Sequence, residues 1–298
     1  MTAHRIKSRD GRLGLWHALA VACVAAVLAC LLMPGTVHAA GERIIILGAD
    51  LSAAQRGEML TLFKVKEGEV PILTVTNAEE REYLTGVVPS AQIGTRAISS
   101  VFVRVKNDGS GINVQTKNIT YVTERAYANA LVTAGISGAD IFAAAPFPVS
   151  GTAALTGVFK AFEQVTGEPI PEDAKQVATE ELVETSEIGE QVGDPGKVAE
   201  LVRLAKEEVV RRGLDDPAAI RMVVMEISVR LGLDLTEAQI DRLVELLRKV
   251  GGLNLDIETI QKQLKDFQDS IGLTDEQARS IWKAISDFFV SIWRAIFG

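Results

Sequence analysis

A single carboxylate follows the first strand-like segment of the chain and is a candidate for ligand binding. Residues 44–47 form a short apolar run that ends at Gly48 and predicts a buried strand, and Asp50 comes shortly after it. Because α/β folds usually bind ligands in the crevice at the carboxyl ends of their strands, Asp50 is expected to point into such a crevice. The alternative is that Asp50 serves as a cap or turn residue.

A second candidate is a stretch of small residues before a predicted helix. Ser150, Gly151 and Thr152 follow a predicted bend at 146–148, and the helix after them runs to Gly167. Exposed backbone amides at the first turn of a helix can hold an anion, so these three residues are candidates for binding one. The alternative is a close-packed bend that holds no ligand.

Three glutamates share one face of a predicted helix and are candidates for a metal site. Glu180, Glu184 and Glu187 follow each other at helical spacing, and hard cations such as calcium bind several carboxylate oxygens. The alternative is a solvated acidic face, because like charges at this spacing cost only about 0.2–0.5 kcal/mol per pair.

Several catalytic chemistries are excluded by what the chain lacks after residue 39. All three histidines and both cysteines come before that point, so residues 40–298 contain neither residue type. Ser-His-Asp and Cys-His arrangements and ordinary zinc or copper sites are therefore excluded for this part. Ser280 and Lys283 form a Ser-x-x-Lys pair, but the sequence has no Ser-Asp-Asn or Lys-Thr-Gly companion motif. No cofactor is expected, and an enzymatic role is disfavoured.

The last predicted helix is strongly amphipathic. Large apolar side chains cover roughly half of its circumference, among them Trp282, Phe289, Trp293 and Phe297. Such a face either packs on neighbouring helices or lies in a membrane interface, where tryptophan and phenylalanine insert. These four residues are therefore candidate contacts with a membrane or a partner.

Two kinds of sequence pattern position these candidates. Up to residue 168, strand-like and helix-like segments alternate, and segments 97–106 and 112–122 flank a turn that predicts a β-hairpin. Beyond that point only helical spacing remains. The predicted fold class is α+β, with an α/β sandwich and mixed sheet at 40–168 and an all-helical domain at 169–298.

Helix starts are marked by residues whose side chains can accept hydrogen bonds from the first free amides. In two places the cap precedes a proline at the first helical position, which is where proline suits a helix. The predicted caps are Ser52, Asn77, Thr123, Asp194, Asp216 and Thr236.

The N-terminus has the order of features that is typical of secretory signals. Four basic residues among the first twelve precede an apolar run at 13–33, which a Pro-Gly pair ends. Val37 and Ala39 place small or aliphatic residues at the positions that a signal peptidase recognises, so cleavage of residues 1–39 is predicted after Ala39. The alternative is a membrane anchor formed by residues 13–33, since about 20 apolar residues span a bilayer.

The charge of the chain argues against nucleic acid as a partner. Residues 1–39 carry four basic side chains and one acidic one, so the net charge of −8 for the whole chain becomes −11 without them. A protein of that charge repels phosphate backbones.

Three stretches of the sequence resemble a known family. They are residues 109–123, 127–136 and 144–157, and the similarity is sharpest between 110 and 165. These stretches resemble the YpuA-like secreted bacterial proteins, which are grouped as domain of unknown function 1002. The resemblance implies export, and it supplies no catalytic residues.

Taken together, the sequence predicts a secreted or envelope-associated, non-catalytic binding or structural protein. Its expected partner is an envelope component or a membrane surface, and the oligomeric state is not indicated. The alternative function is a carboxylate-dependent hydrolase that acts on an envelope glycan. Such an enzyme needs two acids about 5–10 Å apart.

Overall fold

A computed structural model of the chain confirms the α+β class: a mixed sheet flanked by helices is followed by a region that contains only helices. The structure describes residues 42–85, 87, 93–106, 110–253, 255, 257 and 260. The predicted signal segment or anchor at 1–39, the Ser280–Lys283 pair and the last amphipathic helix with Trp282, Phe289, Trp293 and Phe297 lie outside the described residues.

Five strands of the described part form one sheet. They are β1 (Arg43–Gly48), β2 (Ile72–Val75), β3 (Ser100–Val105), β4 (Ile112–Ile119) and β5 (Ala139–Val149). Their order across the sheet is β2-β1-β3-β5-β4. β1 is parallel to β2 and β4 is parallel to β5, whereas β3 is antiparallel to both of its neighbours, β1 and β5.

The helices begin where their capping residues predict, with one correction. The side chains of Ser52, Thr123, Asp194, Asp216 and Thr236 all accept the expected amide hydrogen bonds. The cap predicted at Asn77 is wrong, because Thr76 caps that helix and Asn77 is its first residue. The helices are α1 (Ala53–Leu62), α2 (Asn77–Leu84), α3 (Glu124–Thr133), α4 (Thr152–Thr166), α5 (Glu172–Val192), α6 (Pro195–Arg212), α7 (Pro217–Leu231) and α8 (Glu237–Gly251).

The predicted hairpin between segments 97–106 and 112–122 is wrong in its pairing. β3 and β4 are antiparallel segments joined by a short connection, but β5 lies between them and pairs with both. β5 is the more buried of the two candidate neighbours of β3, and a strand that is apolar on both faces takes a central position. β4 alternates buried and exposed residues over its first four positions, which suits an edge.

Apolar residues cover both faces of the sheet. One face packs against α3 and α4, with Tyr127 and Phe159 among its largest fully buried side chains. The opposite face packs against α1 through Phe63, whose ring lies 5.5 Å from that of Phe142. The sheet is therefore enclosed, and its strand ends become the natural places for a pocket.

Helix α5 contributes apolar residues both to the core under the sheet and to the core of the helical region. Ala178 and Leu182 in its first half join the core under the sheet, and Ile188 near its end joins the core formed with α6, α7 and α8. The division into domains at residue 168 stays a prediction. Among the described residues, no helix is long and apolar enough to cross a membrane.

Candidate functional site

The first turn of α4 begins at a glycine that no side chain caps. Gly151 has φ +100°, a conformation that favours glycine, and a Cβ at this position would lie 2.5 Å from Ile119 Cγ2. The hydroxyl of the fully buried Tyr127 donates a hydrogen bond to the carbonyl oxygen of Gly151. Because the helix has no side-chain cap, the backbone amides of Thr152 and Ala153 find no acceptor among the described residues.

An irregularity at the edge of the sheet brings the chain to this turn. In the β4–β5 pairing, Lys117 faces Ala144 but Ile119 faces Val149, so residues 145–148 of β5 have no regular partner. Asn118 has φ +59° here, and its side-chain amide donates to the carbonyl oxygen of Ala145 at 2.8 Å. The segment 146–148, predicted as a bend, is therefore part of β5. Because it has no regular partner strand, Pro146 and Pro148 need not donate backbone hydrogen bonds there.

Helix α2 places a buried carboxylate next to the first turn of α4. Thr76 and Glu79 form a capping box at its start, so the following Glu80 faces inward. Glu80 is 2% exposed, and it accepts hydrogen bonds from Thr152 Oγ1 at 2.7 Å and from Asn77 Nδ2 at 3.3 Å. Burial raises the pKa of Glu80 above its usual value, and these two hydrogen bonds offset only part of the effect.

The pKa of the neighbouring Glu79 is shifted in the opposite direction from that of Glu80. Burial would raise its pKa, but hydrogen bonds from Lys160 and Thr76 outweigh that effect and hold the pKa of Glu79 below its usual value. Lys160 lies on α4, and its ammonium group also donates to the carbonyl oxygen of Thr74 at 2.7 Å. The ion pair fixes α2 against α4 and leaves Glu80 as the carboxylate that faces the first turn of α4.

These groups line a pocket of about 270 Å³, called the α4 pocket below. Its polar lining includes the side chains of Glu80 and Arg96 and a group of hydroxyls, and the apolar lining includes an aromatic ring. The described lining residues are Glu80, Ile93, Gly94, Thr95, Arg96, Ile98, Ser99, Phe147, Val149, Ser150, Gly151, Thr152 and Ala153.

Ser99 is a polar residue of this pocket whose side chain has no hydrogen-bond partner among the described residues. The residue is 3% exposed, and its hydroxyl makes no hydrogen bond with the described residues. Val101 lies two positions further on and faces α4, since a Cβ on Gly157 of that helix would meet its Cγ1 at 3.0 Å. Side chains two apart in an extended segment share a face, so the Ser99 hydroxyl points to the α4 side as well. The Ser99 hydroxyl is therefore available to donate a hydrogen bond to a group bound in the pocket.

The other donors of the α4 pocket suit an anion. Arg96 is exposed and forms no ion pair within the described part of the chain. The free amides of α4 carry the positive end of the helix dipole, and the Ser99 hydroxyl adds a neutral donor. A carboxylate or phosphate oxygen therefore meets a guanidinium group, a hydroxyl and backbone amides in one place.

The structure brings one group of predicted ligand-binding residues to this pocket and leaves the other outside its lining. Ser150, Gly151 and Thr152 all line it, and the hydroxyls of Ser150 and Thr152 lie 3.3 Å apart. The Asp50 carboxylate accepts a hydrogen bond from the amide of Ala97 at 2.8 Å. This bond joins Asp50 to the segment that carries Ser99, and ligand binding by Asp50 stays a prediction.

The predicted metal-binding glutamates face basic side chains of α8. Lys249 lies 2.7 Å from Glu180, and Arg242 lies 2.6 Å from Glu184 and 2.8 Å from Glu187. Within the described residues, no group of three or more histidine, cysteine, aspartate or glutamate side chains could hold a metal ion. The structure gives these carboxylates a role in joining α5 to α8, and metal binding by them stays a prediction.

A buried ion pair between α5 and α6 is a feature that the sequence did not reveal. Glu181 and Lys206 are both fully buried, and their charged atoms lie 2.7 Å apart. Lys206 also donates to the carbonyl oxygen of Asn129 at 2.8 Å and to Thr133 Oγ1 at 2.9 Å, and Thr133 donates to Glu181. Burial lowers the pKa of Lys206, and the nearby Glu181 offsets part of this effect.

Comparison with known proteins gives a family and one relative to report. A family model described as "Protein of unknown function (DUF1002)" matches residues 47–267. The chain is 42% identical over 261 residues to the "Uncharacterized protein YpuA" of Bacillus subtilis (strain 168), an alignment that covers 87% of this chain and 89% of the relative. No solved structure matches the chain.

Proposed function

The chain belongs to the DUF1002 family of proteins of unknown function, and because that family has no assigned activity, we propose a function from the α4 pocket. The protein is an exported, non-catalytic binding protein that holds the anionic group of a small ligand in this pocket. The single observation that carries this proposal is that Ser99, a residue only 3% exposed, lines the pocket with a hydroxyl that has no hydrogen-bond partner among the described residues. It lies in the same pocket as the uncapped first turn of α4.

Three independent donors support an anion as the bound group. The amides of Thr152 and Ala153 favour negative charge through their own dipoles and that of the helix. Arg96 supplies a full positive charge at the pocket opening, and Ser99 supplies a hydroxyl deeper in the wall. Hydrogen bonds to charged groups each contribute about 1.5–3 kcal/mol, so a small anion can be held by a few of them.

Binding is favoured over hydrolysis by the carboxylates of the pocket. Glycan hydrolysis needs two acids about 5–10 Å apart. Glu80 is the carboxylate among the described lining residues, and Thr152 and Asn77 already bind it. Export and an envelope or membrane partner are supported by residues 1–39, whose basic, apolar and small-residue segments come in the order of a secretory signal.

Isothermal titration of the full chain with acetate and with inorganic phosphate tests the proposal. Ser99→Ala and Arg96→Gln are each expected to weaken binding of at least one of these anions about tenfold, since each removes a donor worth about 1.4 kcal/mol or more. The matched controls are Ser186→Ala, a buried serine on α5, and Lys66→Gln, an exposed cation outside the pocket lining. Equal affinities in the pocket variants and the controls would count against the α4 pocket as the binding site.

A further inference from the structure

The α4 pocket presents one positive and one negative side chain to whatever it binds. Arg96 and Glu80 are the charged residues of its described lining, and they belong to different segments of the chain. The hydroxyls of Ser150, Thr152 and Ser99 and the amides of α4 provide the other polar groups. A ligand that is complementary to this lining therefore carries both a negatively charged group and a positively charged group.

Glu80 has room for another donor. A carboxylate offers about four acceptor positions, and Glu80 uses two of them for Thr152 and Asn77. Its ionised form lies in a largely desolvated position, where a charge without a partner is unfavourable. A ligand with only an anionic group would bring a second negative charge beside Glu80, whereas an ammonium group would neutralise it.

The size of the pocket restricts the ligand to a small molecule. Its volume of about 270 Å³ lies below the roughly 300–1,000 Å³ of sites for drug-sized ligands. Ile93, Ile98, Phe147 and Val149 line part of the wall, so a short apolar substituent would find apolar contacts there.

We propose that the ligand of the α4 pocket is a small zwitterion of the amino-acid type. Its carboxylate binds the α4 amides, Ser99 and Arg96, and its ammonium group donates to Glu80. This inference rests on the proposed function and adds the second charge of the ligand to it. Glu80 then selects against molecules that carry the carboxylate alone.

A series of matched ligands tests the zwitterion directly. Alanine and propionate differ by the ammonium group, and alanine and alaninamide differ by the carboxylate, so titrating the full chain with all three separates the two contacts. We expect one or both enantiomers of alanine to bind at least about tenfold more tightly than propionate or alaninamide, because a charge-assisted hydrogen bond is lost in each comparison.

Two variants assign the preference to Glu80. Glu80→Gln keeps an acceptor for Thr152 and removes the charge, so it should bring the affinities for alanine and propionate close together. Glu82→Gln removes an exposed charge from the same helix and should leave the preference unchanged.

The outcomes separate this inference from the function on which it rests. Propionate binding as tightly as alanine in the unaltered chain would overturn the zwitterion and leave the anion-binding pocket in place. If acetate, phosphate, propionate and alanine all fail to bind, the pocket itself is not an anion site and both proposals are wrong.

Discussion

Glu80 and Ser99 are two buried polar residues whose environments do not fully satisfy them. Glu80 accepts two hydrogen bonds but still has a raised pKa, and Ser99 has a hydroxyl without a partner in the described structure. Burial of the ionised Glu80 carboxylate lowers the stability of the fold. Residues that conflict with local stability are expected at functional sites, and Glu80 lines the same pocket as the Ser99 hydroxyl.

The raised pKa of Glu80 predicts how stability depends on pH. An acid whose folded pKa lies above its unfolded value of 4.5 favours the folded state when it is protonated. That contribution is present below about pH 4.5 and is lost as the pH rises through the folded pKa. Glu80→Gln should therefore melt a few degrees above the unaltered chain at pH 7, and the difference should shrink towards pH 4.5 in thermal unfolding followed by circular dichroism.

Glu82→Gln is the control for this stability measurement. Its side chain is exposed on the same helix, so the substitution should leave the melting temperature nearly unchanged at both pH values. A lower melting temperature for Glu80→Gln than for the unaltered chain at pH 7 would show that the ionised carboxylate stabilises the fold, contrary to this account.

The sequence predicted some residues of the site and missed others for a definite reason. Ser150, Gly151 and Thr152 were predicted because small residues before a helix are a local signal. Ser99 and Glu80 were missed because only the folding of distant segments brings them to Thr152: Glu80 binds it from 72 residues away, and Ser99 lines the same pocket. Thr76 with Glu79 is a local capping box that would have placed α2 correctly, and with it the inward-facing Glu80.

At the scale of elements, the interface of α5 with α6 depends on a charge pair that no capping or spacing rule predicts. The sequence predicts a metal site or a solvated acidic face on the glutamate-rich α5, yet Glu181 contacts Lys206 in the interior while Glu180 and Glu184 pair with basic residues of α8. The spacing of acidic residues along one helix does not reveal which neighbouring helix supplies the cations.

Removing Lys206 should destabilise the protein strongly. Lys206→Met leaves the buried Glu181 without its ammonium partner, and loss of one member of a buried ion pair costs about 3–5 kcal/mol. The double variant Lys206→Met with Glu181→Leu should recover much of that loss, because neither side chain is then charged. Urea unfolding of the single and double variants measures both effects.

The surface ion pair between Lys249 and Glu180 provides a matched comparison. Lys249→Met removes the same type of side chain from a partly exposed pair, and such pairs contribute only about 0–1 kcal/mol. If Lys206→Met and Lys249→Met lose similar free energies of unfolding, the buried pair does not hold α5 and α6 together as described.

At the scale of the whole described fold, the position of β5 between β3 and β4 determines the α4 pocket. β5, between β3 and the edge strand β4, continues into the irregular segment 145–148, which leads to Gly151 at the start of α4. The fold class was predictable from the order of strand-like and helix-like segments, whereas the strand order was not. A turn between two strands indicates that they run antiparallel, but it does not show whether a later strand is inserted between them.

Engineered disulfides test this strand order. Arg104 on β3 faces Asp140 on β5, and facing residues of adjacent strands lie close enough for a disulfide. With Cys23 and Cys30 changed to serine, Arg104→Cys with Asp140→Cys should oxidise to an intramolecular disulfide, seen as a mass loss of two hydrogens.

A second cysteine pair distinguishes this strand order from a hairpin. Asn113 on β4 faces Asp140 from the other side, so Arg104 and Asn113 are separated by two strand spacings of about 4.8 Å each. Arg104→Cys with Asn113→Cys should therefore stay reduced. A disulfide in this pair and not in the first would mean that β3 and β4 are direct neighbours.

Binding of an anionic group in the α4 pocket is reported most directly by the backbone amides that line it. The measurement is two-dimensional ¹H–¹⁵N NMR of the full chain during titration with acetate and then with alanine. We expect saturable shifts of the Thr152 and Ala153 amides together with those of residues 93–99, and much smaller shifts in α7 and α8. Amides of Thr152 and Ala153 that do not move while either ligand binds elsewhere, or do not move at all at saturating concentrations, would contradict this prediction.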